Sequence, residues 1–219
     1  MILDITLRDA LVQELLRCLR QAEPTSQVAL RSSLAEGRAD VYSDIDLWWE
    51  VPDSSFSSLD RRLPELLSGI RPIEGLFSEP DFQKSDRRRM YFVHFEGVPL
   101  FWRVDMEVFA ASLRGDRIYD LNNPAARGED WSLAHSALIN VVTMIKILLR
   151  GRAEQVGLLI RHEFQRLGLP FPGGEIGVQI VTLVEGIRSM DTQVQDLAQK
   201  VVALCHEYES QINRGANFS

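Results

Sequence analysis

The chain has 219 residues, enough for one large or two small domains with a real core. Its 31 acidic against 24 basic residues leave a net charge of −7, which argues against a protein whose main work is holding long nucleic acid. Only Cys18 and Cys205 are present, without CxxC spacing, so neither a disulfide framework nor a zinc site is indicated.

No signal-peptide pattern opens the sequence, because MILDITLRDA is an acidic, amphipathic start. No apolar run approaches the roughly 20 residues that a membrane helix needs, so the expectation is a cytoplasmic protein with no membrane partner. Leu7, Ala10, Leu11, Leu15, Leu16 and Leu19 recur at helical spacing over 6–22, and Glu23-Pro24 ends that pattern. QVALR (27–31) predicts a short strand, and a Ser-Ser loop and Gly37 lead to a second strand over 44–51, closed by Pro52-Asp53. Residues 59–70 predict a helix with Pro64 near its first turn.

From Arg89 the pattern turns aromatic and β-branched, broken at Glu96-Gly97, which predicts a hairpin. In its second arm Phe101, Arg103, Asp105 and Glu107 share one face, while Trp102, Val104, Met106 and Val108 share the other. DLNNPAARGED (120–130) has the composition of a linker, and four helical patterns follow it over 131–151, 153–169, 175–190 and 192–212. The expected plan is α+β: a small mixed sheet flanked by helices over 1–122, then a four-helix-bundle-like domain over 123–219. A cleft between the two is the expected site.

Chemistry concentrates at two places. Asp44 and Asp46 alternate with Ile45 and Leu47, so both carboxylates point to one face of an extended chain. Like charges held side by side need a counter-ion. If the strand carrying Asp105 is a neighbour, three hard oxygen ligands converge in a way that suits Mg²⁺, and two such ions can clamp a phosphoryl displacement. Upstream, the small residues of the Ser32-Ser33 turn let backbone amides approach phosphate oxygens. Glu107 is either a second base or the end of a strand. The Arg87-Arg88-Arg89 run predicts a solvated loop, His94 a packed imidazole, and Trp48 and Trp49 parts of the core and the sheet face.

The block GRADVYSDIDL, with ten residues between Ser33 and Asp44 and RVDMEV later, resembles the polymerase-β-like nucleotidyltransferase superfamily. It resembles closely the small bacterial members, which include the aminoglycoside and lincosamide nucleotidyltransferases, and many of these carry a C-terminal helical domain. The resemblance is sharp over 28–47, fair over 103–108 and only architectural beyond 130. It implies the nucleotidyltransferase fold, with a nucleoside monophosphate, AMP from ATP, passed to a hydroxyl of a small acceptor. Ser32, Ser33, Asp44 and Asp46 would contact the nucleotide, Asp44, Asp46 and Asp105 would hold Mg²⁺, and Asp105 would also serve as general base. Lys146 resembles a phosphate-contacting lysine, though a solvated surface lysine fits its position equally well. Two departures stand out: Ser32 replaces the motif glycine, and Glu36 stands where several relatives have an arginine, with Arg31 or Arg38 available to compensate. An acidic site suits a cationic acceptor. A homodimer is among the assemblies left open. The rival expectation is a non-catalytic or regulatory module on the same fold, such as the antitoxin of a two-gene pair.

Overall fold

A computed structural model of the chain describes residues 3–191 and 194–216. They divide into two compact units, which meet in sequence between Asp130 and Trp131. In the first, helix α1 (Ile5–Ala22) leads to strand β1 (Gln27–Leu30), a four-residue helix α2 (Ser32–Ala35) and strand β2 (Ile45–Val51). Helix α3 (Phe56–Ser68) and strands β3 (Ile73–Ser78), β4 (Arg88–Phe95) and β5 (Val104–Ala110) follow. The five strands form one mixed sheet in the order β1-β2-β5-β4-β3. Only β2 and β5 run parallel, and the other neighbours are antiparallel.

Period-two alternation sorts this sheet into an apolar and a polar face. Ile45, Leu47, Trp49 and Val51 of β2 and Val104, Met106 and Val108 of β5 are at most 1% exposed. They pack with Leu11, Leu15 and Leu19 of α1 and with Leu59, Leu63 and Leu67 of α3 in a single cluster. Asp46, Trp48 and Glu50 of β2 and Asp105, Glu107 and Phe109 of β5 occupy the opposite face. The architecture is thus α+β, with a five-stranded mixed sheet flanked by helices.

Three details differ from the sequence pattern. Helix α3 starts at Phe56, which puts Pro64 inside it. An interior proline costs about 3 kcal/mol through its lost N–H bond and ring clash, yet Phe56, Leu59, Leu63 and Leu67 all lie buried on one stripe, and that packing holds the helix through the break. Phe101 lies in a 3-10 turn (Leu100–Trp102) and is fully buried, so it falls outside the strand alternation that begins at Val104. Strand β3 carries a weak pattern, IEGLFS, with an irregular register between Ile73 and Gly75, and it owes its pairing to β4.

The second unit contains helices α4 (Leu133–Leu149), α5 (Ala153–Arg166), α6 (Ile176–Met190) and α7 (Gln195–Ala216). Predicted residues 192 and 193 of the last helix lie outside the described ones. Among the described residues no helix is long and apolar enough to cross a membrane. Cys205 is buried in this unit, and that burial pushes its thiol up to about 12, so it is a packing residue rather than a reactive one.

Candidate active site on the polar face of the sheet

The parallel register of β2 and β5 builds the acidic corner. The Ile45 N–H donates to the Arg103 carbonyl at 2.9 Å, and from there Asp46 pairs directly with Asp105. Paired residues on adjacent strands stand about 4.8 Å apart, so these two carboxylates are lateral neighbours. Asp44 lies two residues back, just before the strand begins, and its charge also acts on Arg103. The register thus makes Asp46 and Asp105 neighbours, although 59 positions separate them in the chain.

A cation already stands among them. Arg103 donates from Nε to Asp105 Oδ1 at 2.5 Å and from Nη2 to Oδ2 at 2.6 Å, and its guanidinium covers the Phe92 ring at 4.7 Å. Burial disfavours its charge, but the hydrogen bonds and charge of Asp105, with Asp44 and Asp46 adding to them, raise its pKa above that of an ordinary arginine. Among the described residues no three Asp, Glu, His or Cys side chains are arranged to cage a metal ion. The donor chemistry nevertheless fits a hard divalent cation, since the carboxylates gather around positive charge and offer oxygen alone.

The loop that delivers Asp44 is anchored by a residue the motif does not contain. Arg8 of α1 is 4% exposed, and its Nη1 donates to the Asp40 carbonyl at 2.6 Å. Trp102 donates from its indole to the Val41 carbonyl at 2.8 Å. Within the loop, Ser43 donates to Asp40 Oδ1 at 2.9 Å and is itself buried. The signal for Arg8 is in the sequence: it occupies a stripe position of α1, one turn before Leu11 and Val12, where an apolar residue is the norm. A charge there needs buried acceptors, and the loop supplies them.

Ser32 keeps the backbone of the glycine it replaces. Its φ is +52°, in the left-handed region that disfavours any residue with a Cβ. Ser33 follows it within the same short helix. Glu36 forms an exposed ion pair with Arg38.

Farther along the same face the charge balance reverses. Glu107 is held by Arg31 on one side and by Arg88 at 2.9 Å on the other. Arg114 grips Glu50 through two hydrogen bonds of 3.0 and 2.5 Å. Trp48 and Phe109 stack with centroids 5.8 Å apart. Arg31, Ser32, Trp48, Glu107, Phe109 and Arg114 help to line a pocket of about 770 Å³. Of the arginine run, Arg87 is an exposed loop residue, whereas Arg88 and Arg89 belong to β4. Arg88 and Arg89 lie on opposite faces of β4, each side chain 14% exposed, with Arg89 reaching Asp60 at 3.5 Å. Sequence alone concealed this, because a run of three like charges gives no sign of the strand pairing that separates them. His94 is a buried imidazole in β4, and Trp49 is core, donating to Ser26 Oγ at 2.8 Å. Lys146 is 6% exposed within the helical unit, so it is not a solvated surface lysine.

No family model matches the chain, and no characterised protein matches its sequence. Solved structures similar over 81% of this chain include a cytoplasmic RNA terminal U-transferase, with 18% identity and a TM-score of 0.32. The Cid1 poly(U) polymerase is another, with 16% identity and a TM-score of 0.32. This chain covers 45% of the length of each.

Proposed function

We propose that this protein is a metal-dependent nucleotidyltransferase that moves a nucleoside monophosphate, AMP from ATP, to a hydroxyl of a small acceptor. The observation that carries the proposal is the Asp46–Asp105 pairing across parallel strands, with Asp44 just upstream and its charge acting on the same arginine, Arg103. Asp44 and Asp46 would hold Mg²⁺, with Asp105 closing the corner, and the ion's chemistry there is neutralisation of the triphosphate's charge. The Ser32-Ser33 turn, with its left-handed first residue, lets the backbone approach the phosphates. Arg31 and Arg88, which share Glu107, line the same pocket as that turn and would offset phosphate charge on letting go of that carboxylate. The acceptor then has to sit within hydrogen-bond reach of Asp105 or Glu107 for either to take its proton. Aminoglycosides and lincosamides are the first acceptors to test.

Pyrophosphate release from ATP and GTP, measured with a panel of hydroxyl-bearing antibiotics and Mg²⁺, tests the proposal. Release that depends on an acceptor and disappears in Asp44→Asn/Asp46→Asn supports it. Absence of Mg-ATP binding to the folded wild-type protein overturns it. That outcome favours a second reading, a non-catalytic module that binds a protein partner, for which the Arg103–Asp105 clamp is the supporting observation.

A further inference from the structure

The two-ion arrangement implied by the aspartate pattern assumes that Asp105 is available to a metal. Both of its oxygens instead accept from Arg103, in the side-on geometry that matches a guanidinium fork to a carboxylate. A metal ligated by Asp105 would have to displace one of these charge-assisted bonds and bring positive charge against the guanidinium.

Arg103 is also poorly placed to leave. Its side chain is 20% exposed and lies over Phe92, which pairs with Asp105 across β4 and β5. Its carbonyl accepts from Ile45 and so belongs to the contact that sets the register of the whole corner. Swinging the guanidinium away would leave Asp105 beside Asp46 without it, two like charges on paired positions. An arginine, unlike a lysine, cannot escape by losing its proton.

We propose that Arg103 is the permanent second cation of this site, so that the corner admits one divalent metal ion, on the Asp44 and Asp46 side. Asp105 is then a positioning residue that fixes the guanidinium, and Arg103 contributes a charge already organised where phosphoryl charge develops. The inference rests on the nucleotidyl-transfer site proposed above and deepens it by stating how many metal ions that site takes.

The test is a titration of the full chain with Mn²⁺ alone, counting bound ions by the electron paramagnetic resonance signal of free Mn²⁺. The wild-type protein and Arg103→Lys, which keeps the charge, should each bind one ion. Arg103→Met should bind two, since it frees both oxygens of Asp105 and removes the repelling charge. Circular dichroism verifies the fold, and Arg103→Gln replaces the Met variant if that one does not fold. Two ions on the wild-type protein overturn the inference and leave the proposed function standing. So does a charge-free variant that binds no more ions than the wild type. No Mn²⁺ on any of the proteins removes the metal-dependent function itself, and the inference with it.

Discussion

The polar face of the sheet has two halves with opposite charge logic. At the start of β2 and β5, three aspartates surround one arginine, Arg103. Two residues farther along β5 and four farther along β2, Glu107 and Glu50 are outnumbered by Arg31, Arg88 and Arg114. The acidic half has room for more positive charge, and the basic half for negative charge. Residues two apart on β5 stand about 6–7 Å from each other, so the proposed metal–triphosphate complex would meet both charges along that strand. The net charge of −7 conceals this division, because it averages over a surface whose ends differ in sign.

The largest expected effect comes from emptying the acidic half. Asp44→Asn with Asp46→Asn should abolish Mg²⁺-dependent nucleotide binding and lower turnover on the order of 10³-fold. Stability should stay within about 1 kcal/mol, because mutual repulsion is removed while Arg103 keeps Asp105. Calorimetric titration with Mg-ATP and a thermal melt on one preparation check both halves of the prediction, and unchanged affinity would remove the two aspartates from the metal site.

The basic half should fail differently. Glu107→Gln leaves Arg31 and Arg88 without the carboxylate they share, and urea unfolding should show a loss of about 2–3 kcal/mol. That is less than for a fully buried pair, because the Arg31 side chain remains 36% exposed. Free triphosphate without metal should bind more tightly to this variant, as two guanidinium groups are released to it. A loss of triphosphate binding with no loss of stability would reverse the assignment of Glu107 as their counter-ion.

Between the halves lies the Ser32 turn. Ser32→Gly should raise stability by about 0.5–1 kcal/mol by relieving the left-handed strain, with triphosphate binding equal or tighter. A lower melting temperature would show that the serine side chain matters more than its backbone. Smallest of all is Arg38→Ala. Its exposed pair with Glu36 should be worth only a few tenths of a kcal/mol. The uncovered Glu36 should nevertheless weaken triphosphate binding a few-fold, an effect that salt erases. Salt-independent weakening would point to a direct contact by Arg38.

Much of this was legible in the sequence, and for identifiable reasons. The alternation of Asp44 and Asp46 with Ile45 and Leu47 fixes which face the carboxylates take, because strand geometry is local. The periodic leucines of α1 mark a buried stripe in the same way, and a careful count places Arg8 on it. Only the tertiary structure decided that β2 runs parallel beside β5, which makes Asp46 and Asp105 neighbours although 59 positions separate them in the chain. It also decided that Arg103 clamps Asp105, that Arg88 and Arg89 part to opposite faces, and that Pro64 sits inside a helix. Each of these depends on a partner from a distant segment, and a periodicity records only which way a side chain points, not what it meets.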